Sequence, residues 1–403
     1  MFWFQRYIFI ASSLRRIPFI SKSLCSKSID SPSKLFVLFV IISAVSCRQA
    51  YEPNIKPQQT NYLVVEGFIN AQGSTAITLG RTLPLKDTSK LKPETNATVK
   101  IEGEDNSVYN VSEKGSGMYI SDSFNLNRDQ KYRLHITAGG KDYLSAFVPV
   151  KITPLIDSVS WKPDNGGVHI YANTHDAQNK SIYYKWDYEE TWEIHSAYAN
   201  SLIYEDGFIY GRPLDEIPKL YYCWGSHIST NINLASSEQL SSDIISEAPL
   251  VSILPGSEKI SVRYSILVKQ TALDRQGYEF YQLMKKNTES IGSVFDALPS
   301  ENAGNIVCVS NPSERVIGYI ITSTVEQKRI FILPSQIPEA FYRSGCYNLY
   351  VANNPDSIAK YFNGAGFRPY QCDGCPFAKG YYSSTPECID CRDRGSSEKP
   401  SFW

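Results

Sequence analysis

The sequence is poor in methionine and histidine, and it has no excess of charge of either sign. Its 403 residues include 3 Met and 5 His, and 40 basic residues stand against 41 acidic ones, for a net charge of −1. Proteins that bind nucleic acid hold its phosphates with a surplus of Lys and Arg. The balanced charge therefore argues against a nucleic-acid partner.

Motifs that mark common catalytic sites are also missing from the sequence. It contains no H-E-x-x-H zinc motif, no G-x-S-x-G nucleophile turn and no phosphate-binding P-loop. The histidines are scattered, and no third ligand is spaced to join His169 and His175 in a metal site. We therefore predict that the protein is not an enzyme, that it has no catalytic residue, and that it uses no metal or cofactor.

Tyrosine and the other aromatic residues dominate what is present. The chain has 27 tyrosines, aromatic residues make up 13% of it, and hydrophobic residues make up 42%. Such side chains pack well on pleated strands, and this content is sufficient for a folded core. Short alternating segments recur along the chain, and Gly139-Gly140 between two of them is typical of a two-residue hairpin. The sequence therefore predicts a mainly β fold.

Changes in this pattern divide the chain into regions. Residues 61–150 contain short strand-like segments without a helix signal, which predicts an immunoglobulin-like sandwich. A larger β-rich region follows over 151–345, and the spacing of apolar residues predicts one prominent helix there, at about 272–289. Residues 346–403 are predicted to form a cysteine-rich tail.

Residues 1–46 predict an export signal preceded by an N-terminal extension. Lys34 is followed by an apolar run over 35–42 and by small residues up to Cys47. The sequence Ala-Val-Ser-Cys resembles the site at which bacterial lipoproteins are cut and lipid-modified, so we predict lipidation of Cys47. A plain signal peptide and a transmembrane anchor are the alternatives, although the run is short for a membrane span. Residues 47–60, which contain two prolines, predict a tether between the membrane and the folded body.

Seven cysteines follow Cys47, and four of them form two C-x-x-C pairs in the tail. Thiols of exported proteins are commonly oxidised to disulfides. The disulfide candidates are Cys372, Cys375, Cys388 and Cys391 in the tail, and Cys223 and Cys308 before it. The alternatives are a zinc site formed by the four tail cysteines, a redox-active C-x-x-C pair, and buried free thiols at positions 223 and 308. Because seven is odd, one cysteine is unpaired or bonds to another chain.

The segment 183–192 alternates aromatic and charged residues. Period two places Tyr184, Trp186 and Tyr188 on one face of a strand. A row of rings can stack on a sugar or on another planar face, so Trp186, Tyr188 and Trp192 are the candidate ligand-binding residues. The competing interpretation is that the row forms the buried inner face of a sandwich.

Several segments spread along the chain carry a family resemblance. They are Val65-Glu66-Gly67, the segment 186–191, residues 285–300, Gly304-Asn305-Ile306, Asn311-Pro312, Gly318-Tyr319, Cys388-Ile389-Asp390-Cys391-Arg392 and Lys399-Pro400-Ser401-Phe402-Trp403. In these segments the chain resembles a Bacteroidota lipoprotein family catalogued as domain of unknown function 4249. The resemblance extends over nearly all of the chain that follows Cys47.

This resemblance implies a location more than a mechanism. It implies a protein that a lipid anchors in the outer membrane, exposed to the periplasm or to the cell surface, and genes that lie beside TonB-dependent transporters. We therefore expect a non-enzymatic accessory protein that binds a substrate or a partner for such a transporter. A structural or adhesive surface lipoprotein is the first alternative, and an envelope hydrolase with an unrecognised site is the second.

Overall fold

Strands with alternately buried and exposed side chains build the first part of the chain. In Lys131–Ala138 every second residue is buried, because one face of the strand covers a core. The computed structural model describes residues 61–83, 91–289, 304–337, 342 and 344–403. The strands of the first part are β1 (Leu63–Gly67), β2 (Ile69–Asn70), β3 (Gln72–Gly73), β4 (Ala76–Arg81), β5 (Lys92–Pro93), β6 (Thr98–Gly103), β7 (Val108–Gly115), β8 (Met118–Ser121), β9 (Phe124–Asn125), β10 (Lys131–Ala138), β11 (Lys141–Ser145) and β12 (Val148–Lys151).

One continuous sheet holds most of these strands. Its hydrogen-bonded order includes β12, β10, β6, β7, β8, β4 and β1. Leu63 of β1 and Ile136 of β10 lie far apart in this order, yet both are buried in the same apolar cluster. The sheet therefore bends around a common core, as the strands of a sandwich or a barrel do.

The second part of the chain forms two sheets that pack face to face. Its strands are β13 (Ile156–Asp164), β14 (Gly167–His175), β15 (Tyr183–His195), β16 (Leu202–Glu205), β17 (Phe208–Gly211), β18 (Tyr222–Ile228), β19 (Asn233–Ser236), β20 (Ile244–Ile253) and β21 (Tyr264–Leu273). Its helices are α1 (Ile217–Tyr221), a 3-10 turn (Glu258–Ile260) and α2 (Arg275–Glu289). Strand β14 lies between β13 and β20, whereas β15 lies between β18 and β21. Ile170 of β14 and Trp186 of β15 share one buried cluster, so the core lies between the two sheets.

The prominent helix begins later than the sequence predicts. Helix α2 spans Arg275–Glu289, whereas the predicted start is at about 272. Strand β21 continues to Leu273, and its Thr271 pairs with Lys185 of β15. Asp274 then caps the helix, because its carboxylate accepts a hydrogen bond of 2.7 Å from the amide of Gly277. Pairing with β15 therefore overrides the local helix signal at 271–273.

After α2 the chain returns to the first sheet. Strands β22 (Ile306–Cys308), β23 (Val316–Ile317) and β24 (Thr322–Ser323) pair with β11, β1 and β12 respectively. These pairings satisfy N–H and C=O groups that edge strands leave free. The predicted second region, 151–345, therefore contains three strands that belong to the first sheet, because local periodicity carries no information on which distant strand is the partner.

The next strand, β25 (Val325–Ile332), joins β21 of the second part, and a 3-10 turn (Pro334–Gln336) follows it. The tail then forms a small sheet of its own. Its elements are β26 (Leu349–Ala352), α3 (Pro355–Ile358), a π-helical turn (Ala359–Gly364), β27 (Arg368–Asp373), β28 (Gly380–Ser384) and α4 (Pro386–Ile389). Phe362 and Tyr381 of the tail share a buried cluster with Leu202 of β16, so the tail packs on the second part.

The mainly β fold class predicted from the sequence is confirmed. The described residues form several sheets, few helices and a tail crosslinked by disulfides. No helix in the described ranges has both the length and the apolar character that a bilayer crossing requires. The predicted signal over 1–46 and the predicted tether over 47–60, with Cys47, lie outside the described residues.

A buried group of charges anchors the returning segment to the first sheet. Glu314, between β22 and β23, accepts a hydrogen bond of 2.7 Å from the Tyr143 hydroxyl. It also forms ion pairs with Lys141 and, at 3.3 Å, with Nη1 of Arg81. The Nε atom of the same guanidinium pairs with Glu94 at 2.8 Å. Burial acts to raise the pKa of Glu314, but hydrogen bonds from Lys141 and Tyr143 outweigh it and hold this pKa below its ordinary value.

The substitution Glu314→Gln should destabilise the protein by about 3 kcal/mol at neutral pH, because it removes one partner of a buried ion pair. A carboxyl group with a lowered folded pKa stabilises the fold fully above its unfolded pKa of about 4.3, and this stabilisation is lost as the pH falls through the folded pKa. In urea unfolding, the difference between Glu314→Gln and the natural protein should therefore shrink below about pH 4.

Glu104→Gln is the matched control for this measurement. Glu104 pairs with Lys131 at the surface, where both side chains are about half exposed, and exposed pairs contribute less than about 1 kcal/mol. Equal destabilisation by the two substitutions, or a difference that stays constant down to pH 3, would contradict the anchoring role of Glu314.

Candidate functional site

Two of the three aromatic residues predicted to bind a ligand lie in the core. Trp186 and Tyr188 are 0% and 3% exposed and face the opposite sheet. The indole N–H of Trp186 donates to the side-chain oxygen of Gln270 at 2.8 Å. Burial, followed by the nearby charge of Glu190, raises the pKa of Tyr188 to about 12. The prediction of an exposed platform is therefore wrong for this face, because a second sheet covers it.

Trp192, the third predicted residue, is half-buried beside the same strands. The backbone of Gly225 packs so closely against its ring that a Cβ there would clash, and the Lys259 ammonium lies 5.1 Å from the ring centre. The fully buried carboxylate of Glu190 accepts hydrogen bonds from Lys259 at 2.7 Å and from His227 at 2.8 Å. Gly225 and Lys259 thus cover part of the ring, and the competing interpretation of a buried sandwich face fits Trp186 and Tyr188.

A different set of aromatic residues lines an open cleft of about 570 Å³. The lining comes from the turn after β15, from α1 and the start of β18, and from β27 in the tail. The residues are Ala197, Tyr198, Ala199, Ile217, Pro218, Tyr221, Tyr222, Tyr370 and Gln371. None of the nine side chains is charged.

The first wall of the cleft is the turn where the chain leaves β15. The amides of Ala197 and Tyr198 donate to the carbonyl of Cys388 at 2.9 and 3.2 Å. Both the amide and the hydroxyl of Ser201 donate to the carbonyl of Tyr370, at 2.9 and 2.7 Å. The tail therefore supplies the acceptors that hold this turn in place.

The second wall is formed by α1 and the first residues of β18. The carbonyl of Leu220 accepts hydrogen bonds from the Cys391 amide at 3.0 Å and from the Ser196 hydroxyl at 2.7 Å. Trp224 and Ser396 exchange two backbone hydrogen bonds, of 2.8 and 3.0 Å. The tail is thus bonded to both walls of the cleft.

Two disulfides connect the same elements covalently. Cys223, which follows Tyr222 in the chain, bonds to Cys391, and Cys346 bonds to Cys388. The third disulfide, Cys372–Cys375, joins the end of β27 to the loop after it. The cleft is therefore formed only where the tail is docked.

The disulfides differ from the sequence prediction at two points, the roles of Cys308 and Cys346. Cys308 is not a disulfide partner but a buried free thiol, because it faces the apolar core of the first sheet. Cys346, which the sequence did not single out, is paired. Cys388 and Cys391 bond to different partners rather than to each other, so the four tail sulfurs do not form the alternative zinc site. No group of His, Cys, Asp and Glu within the described residues is arranged to hold a metal ion.

The rings of the cleft support one another. Tyr198 stacks on Tyr370 with the ring centres 4.6 Å apart and the planes at 8°. His195 contacts Tyr221 and Tyr222, with ring centres at 5.3 and 4.9 Å. Burial, followed by the proximity of Tyr198, raises the pKa of Tyr370, so its hydroxyl stays protonated at neutral pH. Packed rings of this kind hold their orientation before any ligand arrives.

The tyrosine hydroxyls of the cleft have no partner within the described part of the chain. Tyr198 and Tyr221 are half-buried and Tyr222 is exposed, whereas Tyr370 is buried. Core tyrosines differ. The Tyr119 hydroxyl, for example, donates to a backbone carbonyl at 2.9 Å. Because tyrosine hydroxyls normally find a partner when buried, the cleft presents donors and acceptors that are available to a ligand.

Comparison with known families matches residues 48–329 to the family described as a domain of unknown function (DUF4249). The chain belongs to the DUF4249 family. No curated protein matches the chain. The family match includes the turn after β15 and helix α1 but stops before β27, so the tail that completes the cleft lies beyond the matched residues.

The sequence did not predict the cleft of this DUF4249 protein. Its four tyrosines come from segments that lie as far apart as Tyr198 and Tyr370, and no local period relates them. One signal was present, since Tyr221-Tyr222 directly precedes Cys223. If the Cys223–Cys391 disulfide had been known, it would have placed Tyr221 and Tyr222 beside the tail.

Peptide mapping without reduction should recover three linked pairs, Cys223–Cys391, Cys346–Cys388 and Cys372–Cys375. When the unreduced protein is unfolded, alkylation should label Cys308 alone among the seven cysteines from position 223 onward, because the other six sulfurs are bonded. A Cys388–Cys391 bond, or bound zinc with four alkylatable tail thiols, would contradict the assignment.

Proposed function

We propose that this DUF4249 protein is a lipid-anchored accessory protein of the outer membrane in a Bacteroidota cell, and that it acts by binding rather than by catalysis. Cys47 carries the lipid, and residues 47–60 tether the folded body to the membrane. The body binds a substrate or a partner for a TonB-dependent transporter. The export signal before Cys47, its lipoprotein-like cleavage site and the family resemblance support this location.

The aromatic cleft carries the proposal that the protein acts by binding. Its lining consists of Tyr, Ala, Ile, Pro and Gln, which bind through packing and hydrogen bonds. Tyrosine in particular supplies a large contact area at a small cost in conformational entropy. Because disulfides and hydrogen bonds form the walls in advance, little ordering is needed when a ligand binds.

A membrane tether makes weak binding effective. A body held on a short flexible segment meets partners in the same membrane at a high effective concentration. The contact in the cleft can then be weak and readily reversed, as delivery of a substrate to a transporter requires. The lipid and the cleft are therefore parts of one function, in which the first sets the location and the second makes the contact.

Membrane fractionation with affinity purification tests the location and the partner. The full-length protein, tagged at its C-terminus and expressed in its own host, should be found in the outer membrane and should co-purify with a TonB-dependent transporter. Cys47→Ser should abolish both results, because the protein then lacks the lipid. Cys25→Ser, which changes another cysteine of the N-terminal segment, should leave both unchanged.

Two results would contradict the proposal. The first is an unmodified Cys47 in mass spectra of the outer-membrane protein. The second is hydrolysis of an envelope polysaccharide or peptide by the purified protein that a single carboxylate substitution abolishes, since this would establish an enzyme.

A further inference from the structure

We propose that the aromatic cleft binds a neutral saccharide chain. This inference rests on the proposed binding function and specifies the chemical class of the ligand. Three features of the cleft carry it, namely a fixed aromatic platform, an uncharged lining and unengaged hydroxyls.

The platform is the ring of Tyr198. Tyr370, which is buried, stacks against one face of this ring and fixes its plane. Tyr370 does not cover the opposite face of this ring, and Tyr198 is half-exposed and lines the cleft. Ala197 and Ala199, its neighbours in the chain, are exposed and carry only a methyl group, so they add little bulk beside the ring. A pyranose ring presents a flat array of C–H groups, which packs on such a face through dispersion.

The lining disfavours a charged ligand. All nine described residues of the cleft are uncharged, so an anionic or cationic ligand would lose hydration without gaining a partner of opposite charge. The tyrosine hydroxyls and the amide of Gln371 provide both donors and acceptors. Sugar hydroxyls also donate and accept, so a neutral saccharide satisfies both kinds of group at once.

A proline-rich peptide is the competing occupant of an aromatic groove. Its backbone presents carbonyl acceptors and, at each proline, no donor. It would therefore leave the acceptor capacity of Gln371 and of the hydroxyls unused. The mixed donors and acceptors of the cleft favour the saccharide.

Titration calorimetry with the detergent-solubilised full-length protein tests the inference. The neutral probes are maltohexaose, cellohexaose and mannohexaose, and the comparison probes are polygalacturonate and decaproline. At least one neutral hexasaccharide should bind. Tyr198→Ala should weaken this binding by about tenfold or more, and Tyr198→Phe should retain most of it, because the phenyl ring keeps the platform.

Tyr222→Ala provides a second variant whose side chain is exposed and whose loss leaves the core intact. It too should weaken binding, whereas Tyr210→Ala should not. Tyr210 is the matched control, because it is 43% exposed against 42% for Tyr222 and lies on the β16–β17 hairpin, outside the cleft. The unchanged disulfide map of each variant shows that its cleft is assembled.

The inference is overturned if none of the three hexasaccharides binds at millimolar concentration, or if Tyr198→Ala and Tyr222→Ala bind as the natural protein does. Tighter binding of decaproline or of polygalacturonate than of any neutral probe would also overturn it, in favour of a peptide or an anionic ligand. If the transporter still co-purifies with the protein in these cases, the ligand class is wrong and the proposed function stands. If neither saccharide binding nor co-purification with the transporter is observed, both the ligand class and the proposed function are wrong.

Discussion

The covalent attachment of the tail to the second part of the chain is the constraint on which the cleft depends. Cys223–Cys391 joins residues 168 positions apart, and Cys346–Cys388 fixes the residue whose carbonyl holds the turn after β15. Crosslinks over long loops restrict the unfolded chain most strongly. The tail also contributes Tyr370 itself, so the cleft is complete only where the tail is docked.

The first sheet depends on a different long-range contact. Strands β22 and β23 pair with β11 and β1, β24 lies between β12 and β2, and the buried charges around Glu314 hold this segment in place. The residue after β24, Thr324, accepts a hydrogen bond of 2.9 Å from the amide of Thr153 and leads directly into β25 of the second part. Consecutive strands of this segment therefore belong to two different sheets, β24 to the first sheet and β25 to a sheet of the second part.

Local features of the fold were predictable from the sequence, and contacts between distant segments were not. The hairpin at Gly139-Gly140 is confirmed, since both residues have positive φ and the flanking strands pair across them. The alternation around Trp186 correctly identified a strand, but alternation does not tell whether the apolar face meets water or a second sheet. The partner of Cys223 and the stacking of Tyr198 on Tyr370 depend on how the tail docks, for which the sequence holds no periodic signal.

Hydrogen exchange of the cleft walls tests most directly whether the tail builds the cleft. Peptides covering 196–201 and 220–225 should exchange faster in the double variants Cys346→Ala/Cys388→Ala and Cys223→Ala/Cys391→Ala. The amides of Ala197, Tyr198, Ser201 and Trp224 in these peptides donate to carbonyls of the tail. Exchange in Lys131–Ala138 of the first sheet should not change, and Cys308→Ala should leave both walls protected. Walls that stay as protected in the double variants as in the natural protein would contradict the account.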